Sequence, residues 1–324
     1  MQQTTYHIGF GVDNNYVKYA GVLMTNLLLQ HIGQPMEFHL ACDGIDEADR
    51  LRLADFERLY RNVRVHVYQA TAALNKLNSI SSKAPPRLNR SVLLRILLPH
   101  LVPSHIKRLV YMDVDMLCLN PIDELWQINI DGQAVAAVPY PDHAGVQMCR
   151  RLGMSSERYC NAGMLLINIP AWRAQSLTTK VAEYFQLHTE RLRMLEQDAL
   201  NCVLDGDFIE LDSKFNHMVE PNSPLMCKYS GQECILHFVN EAKAWTIGCI
   251  PEIYDLYWSY VRRSLWYDIQ PAEPSTIKAA FLAAVTAEIH GQDKDAIKYY
   301  STVARRLSEY YLEQNKKDLF DMEV

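Results

Sequence analysis

The chain lacks the sequence features that mark several classes of protein. Its eight cysteines include no C-x-x-C pair, which argues against a zinc cluster and favours reduced core thiols of a cytoplasmic protein. Basic residues are not in excess, since the formal net charge is −6, whereas nucleic-acid-binding domains usually present a basic face. No apolar run reaches the length of about 18 residues that a membrane span needs, and the N-terminus does not resemble a secretory signal. We therefore expect a cytoplasmic protein with no membrane span and no nucleic-acid partner.

What the chain does contain is an alternation of predicted strands and helices. Of its 324 residues, 49% are hydrophobic, so it can bury the core of one large domain plus an appendage. Apolar runs and strand periods predict strands at 7–12, 36–42, 63–69, 109–112, 134–140, 162–169, 208–211 and 234–239. Helical spacing predicts helices at 16–29, 46–60 and 171–204. This alternation predicts an α/β fold with a largely parallel sheet covered on both faces.

Composition interrupts the alternation in three places. Residues 78–91 are rich in Ser, Pro and basic residues, which predicts a mobile loop. Residues 91–102 predict a buried helix that is interrupted at Pro99. From about residue 256 the chain is first aromatic and then helix-forming over 276–320, with a split near His290. We predict a small helical region at the C-terminal end.

The most informative stretch is YMDVDMLCLNPIDELW at 111–126, where two acids follow an apolar strand. Asp113 and Asp115 are separated by one residue of an extended segment, so their side chains point the same way. Two carboxylates at the carboxyl end of a parallel strand can hold a hard divalent cation. One alternative is a turn or helix cap beside a solvated acid. Another is a phosphatase of the aspartyl-nucleophile class, which normally has Thr or Val where this chain has Leu117.

The segment at 111–126 resembles the metal-binding segment of glycosyltransferase family 8, whose members are retaining enzymes that use nucleotide-diphospho-sugars. Further segments match in the same order: FGVDNNY at 10–16, YCNAGMLLINIPAWR at 159–173, EQDALNCVLDGDFIELDSKFN at 196–216 and, more weakly, LHFVNEAKAW at 236–245. The resemblance implies a single Rossmann-like nucleotide-diphospho-sugar domain of the GT-A type over residues 1–255. Residues 256–324 look like the helical C-terminal region of the bacterial lipopolysaccharide-core glucosyl- and galactosyltransferases of this family.

Carried over residue by residue, the resemblance implies a metal site and a donor site. The metal ligands would be Asp113, Asp115 and His237, holding Mn²⁺ or Mg²⁺, and a structural core histidine is the alternative for His237. The residues that bind the UDP-sugar would be Asp13, Asn15, Tyr16, Arg95, Glu196, Asp198 and Lys243. Asp13 would accept from the uracil ring, and Lys243 would contact the diphosphate. A turn-forming aspartate and a helix-surface arginine are the alternatives for Asp13 and Arg95.

The resemblance also implies the catalytic residues, which would be Gln197, Asp113 and Asn161. A retaining transfer can use a double displacement, but an amide such as Gln197 is a poor nucleophile. We therefore expect front-side attack by the acceptor hydroxyl, with the leaving diphosphate taking the proton and the cation stabilising it. Gln197 would steady the sugar through its carbonyl oxygen, and Asn161 would orient the sugar hydroxyls. Buried amides that serve only the fold are the alternative for both.

Two departures from the family pattern bear on the donor site. The family commonly has Asp where this chain has Glu196, and it has a Gly-Pro pair where this chain has Asn240 and Glu241. The proline that usually follows the lysine is Ala244 here. Because glycine lets backbone approach phosphate closely, diphosphate binding could be weaker or shifted onto side chains. A non-catalytic protein that binds a UDP-sugar or a glycan is therefore kept as an alternative.

The sequence thus predicts a metal-dependent retaining transferase that moves glucose or galactose from a UDP-hexose to a saccharide, preferably the lipopolysaccharide core. A family relative that builds capsule or a protein-linked glycan is the alternative enzyme. Arg262, Arg263, Trp266 and Tyr267 are close together, and basic plus aromatic residues suit a membrane interface. A peripheral position on the cytoplasmic face of the inner membrane would place the enzyme at this acceptor. Helices that pack on the catalytic domain are the alternative.

Overall fold

The computed structural model describes residues 4–79, 90–223, 226–240 and 242–320. The strands are β1 Tyr6–Asp13, β2 Met36–Asp43, β3 Val63–Gln69, β4 Arg108–Met112, β5 Met116–Cys118, β6 Val135–Pro139, β7 Cys160–Asn168, β8 Ile209–Glu210, β9 His217–Val219 and β10 Ile235–Phe238. The helices are α1 Val17–Gln30, α2 Glu47–Leu59, α3 Thr71–Ser79, α4 Leu94–Leu101, α5 Asp142–Leu152, α6 Ile169–Ala174, α7 Leu177–Leu187, α8 Leu195–Leu204, α9 Pro251–Val261, α10 Ile277–Ile289 and α11 Asp293–Phe320. The strands predicted from the sequence are all present, with ends that shift by at most two residues.

The large sheet has the strand order β3-β2-β1-β4-β7-β6-β8. The pairs β1–β2, β2–β3, β1–β4 and β6–β8 are parallel. Strand β7 runs antiparallel to both β4 and β6. The prediction of a largely parallel α/β sheet is therefore confirmed, with β7 reversed. Strand β7 is buried along almost its whole length, so its sequence is a nearly continuous apolar run. Such a run does not indicate whether the strand is parallel or antiparallel to its neighbours.

Large side chains from the sheet and its covering helices form the main core. Leu98 of α4, Tyr111 of β4, Leu165 of β7 and Trp172 of α6 belong to one cluster of buried residues. The indole Nε1 of Trp172 donates to Thr178 Oγ1 at 2.9 Å, so the one polar atom of this side chain is satisfied inside the core. The segment predicted as helical over 171–204 is divided among α6, α7 and α8.

The expectation of an interruption at Pro99 is wrong, because α4 continues through this residue to Leu101. Proline removes only the bond that its own N–H would make to the preceding turn, and here it lies in the last turn of a short helix. The helix is buried from Leu94 to Pro99, so packing stabilises it despite the lost bond. Its start is a 3₁₀ turn at Arg90–Leu93.

The loop predicted at 78–91 falls mostly outside the described residues. Its first two positions complete α3, and its last two lie in the 3₁₀ turn that precedes α4.

The chain divides by its internal contacts into two compact units. The first contains the chain up to His217 together with residues 230–237 and 263–266, and it includes the large sheet. The second contains residues 218–229, 238–262 and the chain from Tyr267 onwards. These units are defined by contacts alone, so the functional division into residues 1–255 and 256–324 stays a prediction.

The helical C-terminal region is confirmed. It consists of α9, α10 and α11, and the break between the last two lies at His290 and Gly291, as predicted. Thr276 caps α10, since its hydroxyl accepts from the backbone N–H of Ala279 at 3.1 Å. Among the described residues, no helix combines the length and the hydropathy needed to cross a bilayer.

Trp266 returns to the first unit and is completely buried there. Its Nε1 donates to Asp49 Oδ1 at 2.7 Å, and its ring lies against Gly21 of α1. A Cβ atom at Gly21 would lie 2.1 Å from the ring, so only glycine permits this close approach. The expectation that Trp266 contributes to a membrane-facing cluster is therefore wrong, although Tyr267 is 69% exposed.

The contact between Gly21 and Trp266 predicts that Gly21→Ala destabilises the protein. Alanine favours a helix by about 1 kcal/mol over glycine, but overpacking a filled core costs about 1–3 kcal/mol. We expect a lower thermal midpoint for Gly21→Ala in a melting experiment followed by circular dichroism. Gly145→Ala in α5 is the matched control, because its Cβ would meet no atom closer than 3.4 Å. Equal midpoints for the two variants would contradict the packing argument.

Candidate active site

The acidic pair lies at the carboxyl end of β4, where the sequence places it. Strand β4 ends at Met112, and the backbone N–H of Asp113 donates to Gly163 O at 2.7 Å. Asp115 then leads into β5, which pairs antiparallel with β10 in the register Met116 to His237. This pairing brings the imidazole to the acids, so that His237 Nε2 lies 3.4 Å from Asp115 Oδ1.

Asp113, Asp115 and His237 each offer one ligand atom, and these three atoms lie within 4.8 Å of one another. The side chains are only partly accessible, at 23%, 17% and 7% respectively. Two carboxylates and one imidazole suit an ion such as Mn²⁺, which accepts oxygen and nitrogen ligands. The donor set that the sequence suggested is thus brought together, and its chemistry fits a divalent cation.

The amide side chains of Asn216 and Asn161 orient the histidine. The other ring nitrogen of His237, Nδ1, lies 2.9 Å from Asn216 Oδ1, and an amide oxygen can only accept. Nδ1 therefore donates to this oxygen, which directs Nε2 towards Asp115. Asn216 Nδ2 in turn donates to Asn161 Oδ1 at 2.8 Å. Asn161 is thus connected to His237 through Asn216, a residue that sequence reasoning did not single out.

Gly163 of the Asn-Ala-Gly segment leaves space for the imidazole. A Cβ atom at this position would lie 2.4 Å from His237 Cε1 and 2.9 Å from Asn161 Oδ1. The backbone N–H of Gly163 also donates to Asn161 Oδ1 at 2.9 Å. Any larger residue would push the histidine or the amide away, so this glycine is required by the geometry of the site.

Arg95 from the first turn of α4 lies between two acids. Its Nη2 donates to Asp113 at 2.6 and 2.8 Å, and its Nη1 lies 3.4 Å from Glu196 Oε1. The guanidinium also lies over the ring of Tyr111, whose hydroxyl donates to Asp113 Oδ1 at 2.9 Å. Arg95 is 8% exposed, so the alternative of a helix-surface arginine is wrong.

Burial changes the pKa values of both acids around Arg95. For Asp113, desolvation raises the pKa, and the guanidinium opposes this shift. For Glu196, desolvation raises the pKa from 4.5 to about 7, again against the pull of Arg95. Glu196 replaces an aspartate of the family pattern, and its longer side chain ends beside this arginine.

Gln197 is held at both ends of its amide. Its Oε1 accepts from the backbone N–H of Ala162 at 2.9 Å, and its Nε2 donates to Tyr159 OH at 3.1 Å. An amide oxygen has two lone pairs, so Oε1 can accept one more hydrogen bond besides the one from Ala162. The side chain is therefore oriented rigidly by β7 and the residue before it.

Asp198 is completely buried and is surrounded by donors. Its carboxylate accepts from Arg151 Nη2 at 2.8 Å, Tyr159 OH at 2.6 Å, Arg193 N at 2.8 Å and Met194 N at 3.0 Å. These bonds fix the start of α8 and hence the position of Gln197. Asp198 thus anchors the start of α8. Contact between Asp198 and a UDP-sugar stays a prediction. Tyr159 and Arg151 lie far away in the sequence, which is why sequence reasoning missed them.

The residues proposed to bind the nucleoside lie at the end of β1, the parallel neighbour of β4. Asp13 is the last residue of β1, and its Oδ1 accepts from the backbone N–H of Asn15 at 2.9 Å, as a turn-forming aspartate does. Tyr16 is 41% exposed. Desolvation raises the pKa of Tyr16, and the charges of Asp13 and Asp115 add to this shift. These side chains therefore share one edge of the sheet with Asp115.

Lys243 belongs to the second contact unit, and its Nζ donates to Phe238 O at 2.7 Å. The turn before it contains Asn240, which has a left-handed φ of 65°. Asparagine tolerates this conformation better than other residues that carry a side chain. Asn240 therefore has a backbone conformation that the glycine of the family pattern would also adopt readily.

Comparison with known proteins points to one family. The family model described as glycosyl transferase family 8 matches residues 7–248. A lipopolysaccharide 1,3-galactosyltransferase of Salmonella typhimurium is 25% identical over 250 residues, covering 74% of this chain and 73% of that protein. General stress protein A of Bacillus subtilis is 26% identical over 279 residues, covering 81% and 95%.

Among solved structures, the galactosyltransferase LgtC in complex with donor and acceptor sugar analogs superposes with a TM-score of 0.66 at 21% identity. The match covers 81% of this chain and 96% of LgtC, so the two share the GT-A fold. Because the family model spans most of the chain, this protein belongs to glycosyltransferase family 8.

Proposed function

We propose that this protein is a metal-dependent, retaining hexosyltransferase that moves glucose or galactose from a UDP-sugar to a saccharide. The observation that carries the proposal is the cluster of Asp113, Asp115 and His237 at the end of β4 in a family 8 glycosyltransferase. The lipopolysaccharide core is the preferred acceptor, and the Salmonella typhimurium relative named for that transfer supports this choice. A cytoplasmic location with peripheral contact to the inner membrane belongs to the same proposal.

The chemistry of the cluster supports the metal assignment. Mn²⁺ or Mg²⁺, bound by the two carboxylates and the Nε2 of His237, would neutralise the charge that develops on the departing diphosphate. Asn216 holds the tautomer that leaves this nitrogen as a ligand. Asp13, Asn15 and Tyr16 would hold the nucleoside beside the cluster, and Lys243 would contact the diphosphate.

The arrangement around Gln197 favours front-side attack over a double displacement. The amide is fixed by Ala162 and Tyr159, and it offers a carbonyl oxygen rather than a carboxylate to the sugar. Asp113 is engaged by Arg95 and Tyr111, which makes it a poor covalent nucleophile as well. The acceptor hydroxyl would therefore attack on the face from which UDP leaves, with Gln197 steadying positive charge on the sugar.

The metal role predicts that Asp115→Ala loses activity. We expect the rate of UDP release from UDP-glucose or UDP-galactose to fall by at least about 100-fold, since a lost ligand removes several kcal/mol of charge stabilisation. Asp131→Ala is the matched control, because Asp131 is an exposed loop aspartate of the same unit. A coupled assay for UDP with Mn²⁺ and then with chelator measures both variants. Unchanged activity of Asp115→Ala would refute the metal assignment.

Front-side attack predicts retention at the anomeric carbon. The product formed from an α-configured UDP-sugar should carry an α-linkage, which proton nuclear magnetic resonance of the isolated saccharide distinguishes from a β-linkage. Truncated lipopolysaccharide core, capsular saccharides and glycosylated peptides are the acceptors to compare. A β-linked product would contradict the mechanism. Transfer only to capsular or peptide-linked acceptors would show that the lipopolysaccharide core is not the acceptor. The proposed donor chemistry would be unaffected.

A further inference from the structure

A second group of ionisable side chains lies on one face of β1, β2 and β3. In the sheet register His7 pairs with Glu37, and His39 pairs with His66. Neighbouring residues of a parallel pair point to the same face, and so do residues two apart along a strand. His7, Glu37, His39 and His66 therefore converge on one side of the sheet, and we call them the histidine cluster.

The atoms of the histidine cluster are close enough to share one ion. His7 Nδ1 lies 3.1 Å from His39 Nε2 and 3.8 Å from Glu37 Oε2. One ligand atom from each of His7, Glu37 and His39 lies within 4.8 Å of the others. Two ligands at about 2.0–2.1 Å from a tetrahedral zinc ion are about 3.3 Å apart, and the observed distances bracket this value.

Each of two ligands in the histidine cluster also has a supporting partner. The second ring nitrogen of His39, Nδ1, lies 2.9 Å from Tyr68 OH. Glu37 Oε2 lies 2.9 Å from His66 Nε2. Histidine and carboxylate ligands of metal sites usually have such outer partners, which fix the ring tautomer and the direction of the carboxylate.

The histidine cluster combines one buried ligand with two accessible ones. His39 is completely buried. The side chains of His7 and Glu37 are 19% and 28% exposed, so an ion can reach them.

We propose that His7, Glu37 and His39 bind a divalent transition-metal ion of the zinc type, with His66 supporting Glu37. Imidazole ligands favour Zn²⁺ over Mg²⁺ or Ca²⁺. The ion would take the place of the hydrogen bond between His7 and His39 and would tie β1 to β2. This site is distinct from the cluster of Asp113, Asp115 and His237. His7 is level with Leu109 of β4 in the sheet register, and Asp113 lies four residues further along, which is about 13 Å at the usual rise of a strand.

Zinc binding to the full chain, stripped first with chelator, tests the proposal. Bound zinc is counted by elemental analysis after gel filtration in the Asp115→Ala background, which removes the acidic site. We expect one equivalent of Zn²⁺ in Asp115→Ala and none when His7→Ala or Glu37→Gln is added. His66→Ala should weaken binding by about 10- to 100-fold, as loss of an outer partner does. His143→Ala, at an exposed histidine, is the matched control and should keep one equivalent.

Circular dichroism checks that each variant is folded, and two independent ligand variants guard against one of them failing to fold. Co²⁺ offers a second readout, since a tetrahedral nitrogen and oxygen site gives visible absorption that His7→Ala should abolish. No zinc in Asp115→Ala would overturn the proposal. Equal zinc content with and without His7→Ala and Glu37→Gln would overturn it as well.

Discussion

The ion pair between Arg95 and Asp113 is the interaction on which the acidic site depends. Two carboxylates, Asp113 and Glu196, are withdrawn from water at neighbouring positions, and the guanidinium reaches both. Breaking a buried pair by removing one partner typically costs about 3–5 kcal/mol, because a charge is then left uncompensated. Arg95 sits in the first turn of α4, so the packing of this helix against the sheet also sets the position of the acids.

A second constraint on the site comes from hydrogen bonds between amide groups rather than from ion pairs. Gly163, Asn161 and Asn216 form a chain of hydrogen bonds that ends on Nδ1 of His237. This chain fixes the tautomer of the histidine and keeps its other nitrogen directed at Asp115. The Asn-Ala-Gly segment of β7 thus holds the ring of His237 in place beside Asp115.

The sequence predicted the acidic pair, the C-terminal helices and the described strands except the short β5 and β9, because each of these features depends on local periodicity or on contiguous residues. It could not predict the reversal of β7, whose apolar residues look the same in either direction. The burial of Trp266 was also not foreseen, since its neighbour Gly21 is far away in the chain. Asn216 and Tyr159 were missed for the same reason. The anchoring of Asp198 by four donors could be seen only once α8 and β7 were placed together.

The central claim is that the acids at the end of β4 hold a cation that in turn holds the diphosphate of a UDP-sugar. The affinity of the protein for UDP, measured by titration calorimetry with Mn²⁺ and then with chelator, tests this claim most directly. We expect UDP to bind at least about ten-fold more tightly with Mn²⁺, a coupling of about 1.4 kcal/mol. Equal UDP affinity under the two conditions would contradict the claim.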